Sequence, residues 1–220
     1  FIASASHELR TPLAVVRSGL ESVEKCSNEE ERNHFLHLMS EETVHMKRLI
    51  DDMLLLANSD ADTLTIKPEA CQPDLLLLDT YEKFETLAKK NGLHLILTLP
   101  EEILPDCFCD IHRTEQIFSI IVDNALCYTP SGGKVTLSCH AENEMLCFLF
   151  EDTGCGISEE KKSHIFERFY RADDAHTDRE HFGLGLCIAK ELTEKQNGNI
   201  QVVDAPISGS CFMVQLPCAL

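Results

Sequence analysis

The sequence predicts an α+β protein in two parts, an N-terminal helical hairpin followed by an α/β sandwich. Three observations carry that reading. Residues 1–60 hold two heptad-like apolar seams. Residues 61–73 interrupt the pattern with Pro68 and Pro73. The remainder mixes helix-period and period-two segments and closes on strands that read as antiparallel pairs.

In the first helix Leu9, Leu13, Val16, Leu20 and Val23 alternate steps of four and three, and in the second Leu36, Met39, Thr43, Met46, Ile50, Met53 and Ala57 do the same. Between them "CSNEEE" places Ser27 or Asn28 as a cap ahead of Glu29, Glu30 and Glu31, acids that suit the positive end of a helix. A lone hairpin buries one stripe, so a second copy completing a four-helix bundle is the natural expectation. The predicted division is 1–62 for the hairpin, 63–72 for a linker and 73–220 for the sandwich. Within the sandwich, 73–92 is a helix stopped by Asn-Gly, 93–100 a strand and 111–128 a helix. Strands at 134–141 and 145–152 flank a turn near Glu142–Asn143. A helix is expected over 158–170, a polar loop over 171–182, a helix from Gly183 and two last strands over 199–205 and 210–217.

The 220 residues, 44% hydrophobic and 25% charged, suit a soluble packed protein. A net charge of −18 argues against nucleic acid or an anionic lipid surface as a partner. A polyanion such as a nucleotide would need a cation or a ring of N–H donors. The 11 cysteines are scattered without C-x-x-C spacing, and Cys107 and Cys109 would share one face of a strand. They read as reduced thiols of a cytosolic protein, many of them (Cys147, Cys187, Cys211) standing for small core residues, and not as a zinc site. No apolar run reaches the ~18 residues of a membrane span. The chain starts at Phe1 in mid-helix, which reads as a fragment of something longer.

Two constellations carry chemistry. In "SASHELRTPLAVV", His7 lies roughly 200° around the helix from Leu9, away from the seam, with Thr11 one turn on along the same face and Glu8 adjacent. Pro12 removes the helical partner of the Glu8 carbonyl, at ~3 kcal/mol or more. A broken local rule beside exposed polar groups points to function. A neutral imidazole is a nucleophile near pH 7, a carboxylate can stabilise its charged product, and a hydroxyl can orient water for the reverse step. Taken alone, an exposed histidine on a solvated helix face needs no function.

The second set is ordered along the chain. Asn124 and Tyr128 share a helix face, Asp152 ends a strand before Gly154 and Gly156, and Gly183 and Gly185 open a helix. Glycines let phosphate approach backbone N–H groups, an amide oxygen of Asn124 suits Mg²⁺, and Asp152 can accept a hydrogen bond from an adenine amine. Each glycine pair also suits an ordinary turn; the ordered set is what points to ATP.

At these residues the chain resembles bacterial sensor histidine kinases of two-component systems. "SHELRTPL" is similar to their H box, "DNALCYTPSGG" to the N box, "DTGCGI" and "GLGLCIAK" to the two glycine boxes and "IFERFYR" to the F box. The resemblance implies a dimerisation and phosphotransfer hairpin, then a Bergerat-type ATP-binding domain shared with gyrase, chaperone and mismatch-repair ATPases. It implies His7 as phosphoacceptor, assisted by Glu8, and Thr11 for dephosphorylating a partner response regulator. Asn124, Tyr128, Asp152, Gly154, Gly156, Ile157, Arg171, Gly183, Leu184, Gly185 and Leu186 would hold ATP, with Asn124 also on Mg²⁺. The implied partners are a second copy and a cognate response regulator, and the implied setting is the cytoplasmic portion of a membrane-anchored parent. A gyrase-like conformational ATPase and a scaffold acting mostly as phosphatase are the competing readings; the H box disfavours the former. This chain departs from the family at Ile120, where many relatives carry Asn; at Cys127, where Lys or Arg is common; in a short "EHF" before Gly183; and at Ile207, where a glycine precedes Gly209.

Overall fold

The structure, a computed structural model, describes residues 2–171, 182–206 and 208–219, with side chains from residue 5 onward. Glu180 and His181 of the "EHF" departure, most of the polar loop and Ile207 therefore lie outside the described residues. Contacts divide the chain into two compact units, Phe1–Leu64 with Arg168–Gly185, and Thr65–Glu167 with Leu186–Leu220.

The first unit is built on helices α1 (Ile2–Lys25) and α2 (Glu29–Asp60). Asn28 caps α2, its side chain accepting from Glu30 N at 2.9 Å, with three acids in the first turn. Helix α1 runs unbroken through Pro12. The hairpin's internal seam keeps Met39 of the expected one and otherwise differs from it. Ala5, Pro12, Gly19, Met39 and Leu49 are buried, whereas Leu13, Leu20, Leu36 and Ile50 are 43–57% exposed. The reason is close packing: a Cβ on Gly19 would lie 2.6 Å from Met39 Cγ, so the two helices approach where side chains are smallest. The large aliphatics of the heptads thus form a second, outward stripe. At the C-terminal end of α2, Arg168 holds Asp60 bidentately at 2.6 and 2.7 Å, which ties the following segment to the hairpin and lowers the Asp60 pKa.

Helix α2 also carries a titration of the opposite sign. Burial, and then the charge of Asp51, push Asp52 up to about 6 against the pull of Arg48. A folded-state pKa above the unfolded 3.8 means that the stability Asp52 contributes is present below that value and is lost as pH rises through about 6. Asp52→Asn is therefore expected to raise the melting temperature at pH 7.5, by no more than about 1–2 kcal/mol equivalent after solvent screening, with a smaller gain at pH 5, part-way through the window from 3.8 to about 6. Melting curves from pH 5 to 8 check this; a gap that shrinks as pH rises would contradict it.

In the second unit, helices α3 (Pro73–Lys90) and α4 (Ile111–Tyr128) pack against a five-stranded sheet of β2 (His94–Thr98), β4 (Lys134–Glu142), β5 (Met145–Asp152), β7 (Ser210–Pro217) and β6 (Asn199–Asp204), in that spatial order. The last four strands pair antiparallel, as expected, with a tight β4–β5 turn in which Asn143 and Glu144 both have positive φ. Strand β2 pairs parallel with β4, Leu95 opposite Val135, which the one-dimensional pattern did not reveal. Phe118 of α4 sits between Phe148 and Phe150 of β5, with ring centroids 4.8 and 5.0 Å away, all three fully buried. Two short strands form a separate antiparallel pair: β3 (Cys107–Cys109), where the C-x-C suggested a strand, and β1 (Glu69–Cys71), inside the expected linker.

The helix expected over 158–170 is corrected to one short turn, α5 (Glu159–Lys162). Phe169, with φ +64, stands in the left-handed region and donates its N–H to Gly183 O at 2.9 Å, so the backbone leaves helical geometry to meet the Gly183 strand of chain. Helix α6 runs Gly185–Glu194, where the glycine-opened helix was expected.

Candidate functional site

The H-box residues come together on one helix face. His7 and Thr11 are exposed and line the same groove of about 550 Å³ with Arg10 of α1 and Phe35 and Leu38 of α2. Glu8 is half-buried beside them. An open imidazole within one helical turn of a hydroxyl is an arrangement that an incoming phosphoryl donor or acceptor can reach.

In the second unit the site is built around Asp152, at the end of β5. Its carboxylate is 6% exposed. Oδ1 accepts from Gly154 N at 2.7 Å and Ser210 N at 3.3 Å. Burial raises its pKa, while the two backbone N–H groups pull it back. With both donors on Oδ1, Oδ2 is the acceptor left to a ligand. The loop is closed to side chains: a Cβ on Gly154 would fall 2.5 Å from Tyr128 O, and one on Gly209 would fall 2.1 Å from Asp152 O, with φ +91 at Gly209. Gly156 has φ +72, and Ile157 follows it, half-buried.

On α4, Asn124 donates its amide Nδ2 to Ile120 O at 2.8 Å, which leaves Oδ1 as a hard oxygen donor. A single amide oxygen beside nucleotide phosphates fits Mg²⁺, which keeps most of its shell as phosphate and water. Ile120 at the family's Asn position contributes its carbonyl as the anchor for Asn124. Tyr128, one turn on from Asn124, is 50% exposed.

The second glycine box belongs by contact to the first unit up to Gly185. Gly183 has φ +71, and a Cβ there would lie 2.7 Å from Tyr170 O. Leu184 is 1% exposed and Arg171 is exposed. Gly185 and Leu186 start α6, whose first N–H groups have no intrahelical acceptor and suit an anion. Sequence reasoning missed Ser210 as a holder of Asp152 and Arg168 as the partner of Asp60. The first acts through backbone N–H, which no side-chain pattern encodes, and the second is a contact 108 residues apart along the chain.

The fold thus combines a helical hairpin carrying an exposed histidine with an α/β unit whose buried Asp152 carboxylate accepts backbone N–H groups from Gly154 and Ser210. Residues 109–220 match the family described as histidine kinase-, DNA gyrase B-, and HSP90-like ATPase, and residues 1–62 match the His Kinase A (phospho-acceptor) domain. The chain belongs to the histidine kinase family. It is 33% identical to the sensor protein SrrB of Staphylococcus aureus (strain NCTC 8325 / PS 47) over 99% of its own length and 37% of SrrB's, so it spans little more than a third of that relative. Among solved structures it is similar to full-length ShkA in complex with AMPPNP, at 27% identity and a TM-score of 0.75 over 99% of this chain and 45% of that one. The histidine kinase ThkA in complex with response regulator protein TrrA shares the fold at 19% identity, with a TM-score of 0.78 over 99% of this chain and 61% of ThkA. Among the described residues no helix is long and apolar enough to cross a membrane.

Proposed function

We propose that this chain is the catalytic portion of a sensor histidine kinase that phosphorylates its own His7 from ATP and passes the phosphoryl group to an aspartate of a response regulator. The observation that carries this is the exposed His7 sharing a groove with Thr11, in a chain that also carries the family's ATPase-type domain. A ring nitrogen of His7 bonds to the γ-phosphorus as the bridging oxygen leaves with ADP, and Glu8 takes the proton from the other ring nitrogen. Asn124 would hold Mg²⁺, which when bound supplies charge neutralisation across the phosphates. Asp152 takes the adenine amine on Oδ2. Gly154, Gly156, Ile157, Gly183, Leu184, Gly185 and Leu186 line the nucleotide, Tyr128 covers base or ribose, and Arg171 meets phosphate. Phosphoryl transfer of this kind needs positioning and charge stabilisation more than covalent chemistry.

The working division is residues 1–62 for dimerisation and phosphotransfer, 63–72 for the linker and 73–220 for ATP binding. The exposed stripe of Leu13, Leu20, Leu36 and Ile50 supports a homodimer, since a second hairpin covers it as a four-helix bundle. ThkA was crystallised with a response regulator, which supports a regulator as the partner here. The setting in this reading is the cytoplasmic portion of a membrane-anchored parent. The test is incubation with Mg²⁺ and γ-labelled ATP, which should give protein-bound label stable in base and lost in mild acid, as for a phosphoramidate. Label with the reverse stability would point to a different acceptor.

Thr11 separates the two directions of chemistry. Thr11→Ala should leave labelling of His7 within about twofold and slow hydrolysis of the phosphorylated regulator at least about tenfold, in line with loss of a group that positions water. Parallel assays of both rates decide it, and equal loss of both would remove the separate role of Thr11.

A further inference from the structure

Cys71 meets Cys107 and Cys109, 36 and 38 positions further along the chain, at the β1–β3 pair. Cys71 of β1 stands directly across the ladder from Cys107 of β3, and Cys109 lies two residues on, so that Phe108 points to one face while Cys107 and Cys109 share the other. Cys71 Sγ is 3.4 Å from Cys109 Sγ, and the three sulfurs lie within 4.8 Å of one another. Cys107 and Cys109 are fully buried and Cys71 is half-buried, so Cys71 is the most solvent-accessible of the three. A cation bound at about 2.3 Å to each sulfur sets sulfurs about 3.8–4.0 Å apart, a spacing this cluster reaches with side-chain adjustments alone. The strand pair supplies the rigid frame: β1 and β3 are held in register, Lys67 N donates to Asp110 Oδ2 at 2.9 Å, and Asp110 N donates to the buried Gln196 Oε1 at 2.7 Å. Thr114 hydroxyl lies beside Cys109, from the first turn of α4.

We propose that Cys71, Cys107 and Cys109 form a binding site for a thiophilic closed-shell cation, Cu⁺ or Zn²⁺. Three sulfurs, with no nitrogen or carboxylate of the described residues grouped with them within 4.8 Å, select soft metals over Mg²⁺ or Ca²⁺. Three-coordinate sulfur suits Cu⁺ directly, while Zn²⁺ would add a water or the Thr114 hydroxyl as a fourth ligand. Binding forms metal–sulfur bonds and releases the thiol protons to solvent, with no change of oxidation state. Because Asp110 caps α4, a cation here also cross-links β1 to the start of the helix that carries Asn124. The inference stands apart from the kinase reading, since it uses none of the same residues.

The test uses the whole chain, fully reduced and anaerobic, titrated separately with Zn²⁺ and with Cu⁺ against a chromophoric chelator. One equivalent should bind. Cys71→Ser and Cys109→Ser should each weaken binding by more than the ~10–100-fold that loss of an outer-shell partner costs, while Cys26→Ser leaves it unchanged. The arm that binds, zinc or copper, identifies the cation. As a readout free of substitutions, metal should protect Cys71, Cys107 and Cys109 as a group from alkylation in the wild-type chain, mapped by mass spectrometry. Affinity unchanged in Cys71→Ser, protection spread over unrelated cysteines, or Cys71 recovered in a disulfide with Cys107 or Cys109 and no metal bound would each overturn the proposal, the last in favour of a thiol–disulfide pair.

Discussion

His7→Gln is expected to abolish the acid-labile label, lowering phosphorylation from ATP by at least about 10³-fold while nucleotide binding stays within twofold of wild type. The magnitude follows from the role: the imidazole supplies the nucleophile, and an amide of similar length has no lone pair of comparable reactivity. Binding survives because His7 lies on the hairpin and the carboxylate and glycine loops lie elsewhere in the chain. Folding survives because His7 is exposed and Gln is a better helix former than His. The measurement pairs a γ-label incorporation assay with a nucleotide displacement assay on the same preparation. Label retained in the variant would move the acceptor to another residue; loss of both label and nucleotide binding would show that the substitution damaged more than the nucleophile.

Asp152→Asn should lower ATP affinity by about 100-fold or more and erase preference for ATP over GTP. The geometry makes this sharper than a simple deletion. In the native loop Oδ1 takes both backbone donors, from Gly154 and Ser210, which leaves Oδ2 for the adenine amine in the proposed reading. Asn keeps the carbonyl on those donors, so the loop conformation holds. Its NH₂ then replaces Oδ2, a donor set against the donor amine of adenine. A hydrogen bond involving a charged group, about 1.5–3 kcal/mol, is lost, and an unsatisfied buried donor, about 1–3 kcal/mol, is created. Every 1.4 kcal/mol is tenfold in affinity. Displacement of a fluorescent ATP analogue by ATP and by GTP, with circular dichroism to confirm folding, reads the outcome. A folded variant that binds ATP as wild type would remove Asp152 from adenine recognition.

The helical hairpin, the strand–turn–strand at 134–152 and the glycine-opened helix at Gly185 were legible because each rests on local pattern: heptads, alternation and turn residues with defined φ. The candidate site residues stood out for a related reason. A nucleophile on a helix face and glycines beside phosphate-binding backbone are chemical requirements written residue by residue. The shortened helix after Ser158 was not legible, because "SEEKKSHIFERF" has good helix-forming composition. It stops at Lys162, with Ser163 as its cap, and the chain then runs through turns to the left-handed Phe169, whose N–H meets Gly183 O. The hairpin seam was misplaced because heptads show which residues are apolar and leave open which of two stripes meets the neighbouring helix. The close approach at Gly19 settles that, and it turns Leu13 and Leu20 outward.

From the order of residues alone came the family, the candidate phosphoacceptor His7, the candidate nucleotide-binding set and the alternation of helix and strand, all of which depend on neighbours a few positions apart. Three-dimensional packing was needed for the parallel β2–β4 pairing, for the two backbone donors that leave one oxygen of Asp152 open, and for the meeting of Cys71 with Cys107 and Cys109. These are contacts between residues up to 58 positions apart, as between Asp152 and Ser210. Chain closure over such distances is driven by burial of the whole core and not by any local preference, so no short stretch of sequence carries its imprint.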